Sequence, residues 1–428
     1  MKTPWLYVPT LYIAEGFPYI VINTVSVILY GALGYSNEQI TLWTGWLYLP
    51  WVLKMFWSPL IDSRSTKRRW LVGAQAVMSA VLLLLAGLLV CKAVAARASA
   101  GFFTLSLYGL LVGAFVSATL DIATDGYYLL ALTPQQQGYF VGVRTIFYRL
   151  AMILGSGLLV SLVGTLEKHG LPLPYNWAVF FGGLAVFFAL CAWYHHAVLP
   201  YPAEDKPVQK TQTTAWKEAF ASYFTQKNIV YILLFILLYR FGEALLEKIV
   251  PLFLLKPATE GALGMSMQDF GLIKGTLGLG AIITGNLLGG WLLGKFGFKK
   301  CIWPFAVALV LPNLCYVYLA AVKPGLATVA VLLTLENLGY GLAMMALTVF
   351  IMYVSQGAYK TSHYAISTGI MALGMMVPSM LSGKLQAAVG YEAFFWLAFV
   401  ISLVTFAIVP LSFRIKAITQ AEQTRRNG

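Results

Sequence analysis

Apolar residues gather along this chain in repeated runs of about 20 residues, each long enough to cross roughly 30 Å of hydrocarbon at about 1.5 Å per residue as an α-helix. The runs fall at roughly 6–31, 39–62, 71–92, 101–126, 136–164 and 177–199, and then, after a gap, at roughly 229–256, 268–295, 300–322, 325–354, 361–389 and 391–415. The pattern predicts an all-α membrane protein with 12 transmembrane helices. An even number of crossings puts both termini on one side.

Composition agrees with that picture. The 428 residues are 59% hydrophobic and 11% charged, against about 45–50% and 25% in soluble domains. Disorder, a disulfide scaffold and a cytosolic enzyme are excluded. The four cysteines, Cys91, Cys191, Cys301 and Cys315, stand far apart inside apolar runs and read as small hydrophobes. The first run is long, contains Glu15 and is followed by no small-residue cleavage site, so it reads as a retained span.

A net charge of +13 would suggest nucleic acid in a soluble protein, but the placement of the basic residues explains it as topology. Segments on one side hold 17 Lys and Arg against 5 on the other, and the richer side is cytoplasmic, with both termini. The polar stretch 200–228 reads as a cytoplasmic linker between an N-terminal six-helix bundle, 1–199, and a C-terminal one, 229–428. Leu11 to Gly16 (LYIAEG) is echoed by Leu238 to Glu243 (LYRFGE), and the basic turn KRRW after the second span by KKCIW after the eighth. Two parallel six-helix repeats resemble the organisation of major facilitator transporters.

Ionisable groups within a bilayer are costly and face a cavity or a partner. Glu15, Arg149, Arg240, Glu243 and Glu336 fall near mid-membrane, Lys54 lies closer to the cytoplasmic end of the second span, and Glu247 follows Glu243 by one turn. A central cavity is one reading, with Arg and Lys holding an anionic or polar solute while a carboxylate exchanges a proton. Permanent interhelical ion pairs, such as Glu15 with Arg149 or Lys54, are the other. A second cluster lies on the cytoplasmic side: Asp62 with Arg64, Lys67, Arg68 and Arg69, then Asp121, Asp125 and Arg144. It suits a latch of the outward-open state, or plain topology signals and helix capping; Asp121 lies deeper and could also take a proton.

Tyr12, Tyr19, Trp43, Trp46, Trp51, Tyr148, Tyr239, Tyr340 and Tyr364 could stack on sugar rings or serve as interfacial anchors. Gly16 and Pro18, and the glycine series from Gly275 to Gly294, permit kinks and close helix contact. His363 reads as a proton relay or as a satisfied polar contact. No catalytic or metal-binding motif is present, and the longest polar segment is far too short for an ATPase domain, so transport would be gradient-driven or passive.

The stretch KMFWSPLIDSRSTKRRW, Lys54 to Trp70, resembles the signature of AmpG-type muropeptide permeases and their acetyl-CoA transporter relatives. Ser117 to Gly157, LLYRFGEAL, LIKGTLGLGAIITGNLLGGWLL and ENLGYGLA are similar to other segments of that family. The resemblance implies proton-driven import of GlcNAc-anhydroMurNAc peptides across the bacterial inner membrane for cell-wall recycling, by alternating access. It carries Lys54, Asp62, Asp121, Asp125, Tyr148 and Arg149 over as motif positions. The chain departs from the pattern at Ser63, where an Arg follows the signature Asp, and the best-known permeases have two further C-terminal spans.

The expectation is therefore a monomeric proton-coupled carrier of a sugar-containing solute, with no cofactor, no metal and no nucleic-acid partner. Substrate contacts are assigned to Glu15, Tyr19, Lys54, Tyr148, Arg149, Arg240, Glu243 and Glu336; coupling and gating to Asp62, Asp121, Asp125, Arg144 and Glu247. A carrier of monosaccharides or acidic metabolites, an exporter of hydrophobic compounds, and a membrane-embedded enzyme using Asp121 and Asp125 are the alternatives.

Overall fold

In hydrocarbon no water is available to backbone N–H and C=O groups, and a helix satisfies them within its own segment. The computed structural model describes residues 3–94, 99–207, 213–355, 360–415 and 418, and the regular structure among these residues is helical throughout. In chain order the helices are α1 (Val8–Ile20), α2 (Ser26–Ala32), α3 (Asn37–Gly45), α4 (Leu49–Arg64), α5 (Lys67–Val94), α6 (Ser99–Ala131), α7 (Pro134–Ile153), α8 (Leu159–Lys168) and α9 (Leu173–Val198). Beyond the linker come α10 (Thr213–Phe224), α11 (Ile229–Leu238), α12 (Phe241–Leu255), α13 (Met267–Phe270), α14 (Leu279–Phe296), α15 (Phe298–Val310), α16 (Leu314–Val322), α17 (Leu326–Val354), α18 (Lys360–Ser402) and α19 (Val404–Ser412).

Ten helical stretches among the described residues are long and apolar enough to cross a membrane. One of them, Ser362–Ser412, is 51 residues long. Its backbone leaves the helical region at Gly390, φ 79°, which only glycine adopts at little cost. The stretch expected at 39–62 is built as α3, a 3-10 turn at Trp46–Tyr48 and α4; it is helical but not among the ten.

The helices form two compact units. The first comprises Met1–Tyr35, Trp46–Lys210 and Ser266–Thr276; in it α1 packs on α6 and α7, α5 on α6 and α9, α4 on α6, and α13 on α8. The second comprises Ser36–Gly45, Thr211–Met265 and Leu277–Gly428; in it α14 packs on α17, α12 on α18, α15 on α17, and α3 on α18. Two close approaches depend on glycine. A methyl group at Gly157 would meet Thr276 and the backbone of Gly275, and one at Gly383 would meet the backbone of Asn37. Such small-residue contacts let backbones approach where no hydrophobic effect drives helices together.

The second unit's core is aromatic: Phe235 stacks on Phe350 with ring centroids 4.0 Å apart, and on Tyr239 at 4.9 Å. Tyr239, offered above as a stacking aromatic or an interfacial anchor, is fully buried in this core. Apolar side chains such as Leu83, Leu84, Leu287 and Trp193 stand outward, as a lipid-facing surface requires.

Candidate functional site

The polar residues of the first unit converge from four helices. On α1, Tyr12, Glu15 and Tyr19 recur at intervals of three and four residues and share one face. Gly16 brings that face against α7, because a methyl group there would stand 2.6 Å from the Tyr148 carbonyl oxygen and 2.9 Å from Ala151 Cβ. Helix α7 starts from a capping box in which Thr133 Oγ1 accepts the Gln136 N–H and Gln136 Oε1 accepts the Thr133 N–H. Arg144 and Tyr148 follow one turn apart on α7, as Asp121 and Asp125 do on α6.

Lys54 on α4 forms an ion pair with Asp121 Oδ2. The carboxyl group of Glu15, 7% exposed, stands within hydrogen-bonding reach of Asp121. Two acids therefore gather around one ammonium group. One turn along α6, Asp125 Oδ1 accepts from Tyr12 OH at 2.8 Å and from Arg144 Nη1 at 3.0 Å. Arg144 also donates to the Tyr12 hydroxyl at 3.0 Å, and its guanidinium lies 5.4 Å and 5.1 Å from the Tyr12 and Tyr128 ring centres. Tyr12, read above as an aromatic surface, is thus the donor that joins acid to base.

Other assignments sort differently. The Glu15–Arg149 pair is not formed: Arg149 donates to Met152 Sδ at 3.8 Å, because it sits one turn from that methionine on the same helix. Tyr19 meets Trp51 edge-on at 5.4 Å, leaving an aromatic corner beside the Lys54 helix. The side chain of Asp62 lies outside the described residues. His363 is a polar contact, bonded to Ser222 Oγ at 2.9 Å and Gln226 Nε2 at 3.4 Å.

In the second unit the helical path breaks at Tyr239 and Arg240, between α11 and α12, where Arg240 takes φ −118° and ψ 24°. The Tyr239 carbonyl freed by the break accepts from Thr405 Oγ1 at 3.1 Å. Arg240 donates to Tyr340 OH and lies 4.9 Å from that ring's centre. Glu336 Oε2 accepts from Tyr316 OH at 2.8 Å, and Glu243 and Glu336 are both buried. Glu247 is half-buried beside Lys248, which is buried deep in α12. Tyr316 was not among the expected site residues; a tyrosine in an apolar run carries no signal that an acid lies 20 residues further on.

This chemistry is suited to holding and exchanging protons and anions. Among the described residues no group of three or more His, Cys, Asp and Glu could hold a metal ion. The long apolar helices, with charge clusters among them, define a multi-pass membrane protein. The Major Facilitator Superfamily matches residues 10–362, and the chain belongs to that superfamily; it is a transporter and not an enzyme. It is similar to an uncharacterized protein of Haemophilus influenzae, 26% identical with 93% of this chain and 92% of that one covered. It is also similar to the anhydromuropeptide permease of Escherichia coli K12, 25% identical with 81% of this chain and 67% of the permease covered. The crystal structure of a D-xylose-proton symporter shares the fold, with a TM-score of 0.73 at 13% identity over 95% of this chain and 96% of that one.

Proposed function

We propose that this carrier imports a sugar-containing anion, anhydromuropeptide with or without its peptide, across the bacterial inner membrane together with protons. The observation that carries the reading is the Lys54–Asp121 ion pair with the Glu15 carboxyl beside it. Two carboxylates and one ammonium leave a net negative charge among apolar helices, which one proton removes. Protonation of Asp121 or Glu15 releases Lys54 to pair with a carboxylate of the solute. Deprotonation draws the ammonium back to its acids and expels the solute. Proton and solute occupancy are then linked through one cation.

Tyr19 with Trp51 offers a rigid surface for a sugar ring, and Tyr148 and Arg149 extend it. Arg240, Glu243 and Glu336 are assigned to recognition in the second unit. The Asp125–Arg144–Tyr12 cluster, with Asp62, is assigned to gating, and Glu247 to coupling. The chain crosses the membrane 12 times as two six-helix repeats with both termini in the cytoplasm, and acts as a monomer. Similarity to the permease supports the solute, and the depth of the acids supports the proton.

The test is uptake of labelled GlcNAc-anhydroMurNAc, with and without peptide, into proteoliposomes holding this protein alone. Accumulation driven by an inward proton gradient is expected. Accumulation without the gradient would sink the coupling; none at all by a folded carrier would sink the solute.

A further inference from the structure

The basic turn Lys67-Arg68-Arg69 opens α5, and cations at a helix N-terminus oppose the helix dipole. The structure resolves this conflict with a residue from the far end of the unit. Asp205 reaches back so that its Oδ1 accepts the Lys67 N–H at 2.7 Å and its Oδ2 the Arg68 N–H at 3.1 Å. Arg69 N–H goes to Thr66 Oγ1 at 3.2 Å, so the first-turn donors are satisfied. The segment that carries Asp205 is fastened along its length. Arg68, 5% exposed, donates to the carbonyls of Leu199 and His196 and lies 3.9 Å from the Tyr201 ring centre. Tyr127 OH donates to the Pro200 carbonyl at 2.8 Å.

This clasp bears on the acid cluster. The Lys67 side chain lies across Gly126, where a methyl group would stand 2.9 Å from its Cε, and Gly126 directly follows Asp125. The titratable and charged groups around Asp125 are Tyr12 and Glu15 from α1, Lys54 from α4, Asp121 and Tyr128 from α6 and Arg144 from α7, with Lys67 of α5 against the next residue. The position of the α5 start therefore sets what lies against α6 at the residue next to Asp125.

We propose that Asp205 is a positioning residue for this cluster: the strap 199–206 holds the start of α5 by a cap given from a distance, and so fixes Lys67 against Gly126 beside Asp125. The role rests on the proton-coupled reading above. It makes the first part of the linker between the two halves a working piece of the first unit.

The experiment uses the full-length carrier in proteoliposomes with Asp205→Ala, Asp205→Asn and Asp205→Glu, and with Glu204→Gln as the neighbouring control. Amide exchange at Lys67 and Arg68 should rise about fivefold in Asp205→Ala, the loss expected of a helix cap. Uptake of labelled GlcNAc-anhydroMurNAc should change its pH midpoint in Asp205→Ala and Asp205→Asn, and recover it in Asp205→Glu. Unchanged exchange would overturn the cap. Faster exchange with an unmoved pH midpoint would overturn the positioning role and leave the strap merely structural. If Asp205→Ala does not fold, Asp205→Asn, which keeps one acceptor, is read in its place. Wild-type uptake that ignores pH would overturn the coupling reading, and the positioning role with it, while amide exchange still reports on the cap by itself.

Discussion

Lys54 and Asp121, 67 residues apart on α4 and α6, are joined as an ion pair whose side chains retain 32% and 19% exposure. The pair is neither a surface bridge nor a sealed one. Solvent or solute can reach the ammonium, so the pair can be exchanged for another.

Replacing Asp121 by Asn removes the partner that competes with the solute for Lys54. Gradient-driven accumulation should fall at least about tenfold, equivalent to about 1.4 kcal/mol, while solute exchange across preloaded liposomes persists. Counterflow measured beside net uptake separates the two. Loss of both together would place Asp121 in the scaffold only.

Tyr12→Phe deletes the hydroxyl shared by Asp125 and Arg144 and leaves their direct bond in place. Thermal unfolding of the purified protein should register a loss of about 0.5–1.5 kcal/mol. An unfolding midpoint within error of the wild type would show that the shared hydroxyl carries none of the cluster's stability.

Gly16→Ala forces a methyl group against the Tyr148 carbonyl and Ala151. The cost should be about 1–3 kcal/mol, since both neighbours belong to a packed helix that cannot yield locally. A melting temperature within error of the wild type would show that α1 and α7 separate more easily than their contact suggests.

Tyr316→Phe leaves the buried Glu336 without the phenol that donates to it. A loss of about 1–3 kcal/mol is expected from the lost hydrogen bond to the carboxyl group. Glu336→Gln should be milder, because an amide oxygen still accepts from the phenol. Denaturation of the three proteins side by side checks the order.

The ionisable census was legible because a charge in an apolar run is conspicuous: Glu15, Lys54, Asp121 and Arg240 stand out in the bare sequence. Their pairings were not, because helix rotation decides which neighbour a side chain meets. Glu15 was a candidate partner for Arg149, yet Arg149 turns to Met152 and Glu15 meets Asp121. Tyr12 and Tyr239 looked alike as aromatic residues in apolar runs. One proves to be a hydrogen-bond donor to Asp125, and the other is buried in an aromatic stack. Arg68 reads as a topology signal in the sequence, but its role in the clasp depends on Asp205, 137 residues on in a segment that looks like solvated linker. Gly390 marks a turn that apolar content alone places only by its two flanking runs.

The composition of the first unit has a consequence for biosynthesis. Its final piece, Ser266–Thr276, is encoded after the linker and after α12, and it supplies the backbone against which Gly157 and Gly164 fit. Domains generally mature as they leave the ribosome, N-terminal first. Here the earlier half lacks the packing of that piece until residue 276 has been made. A nascent chain truncated before that point should be a marked target for membrane proteases, and one extended just beyond it should not.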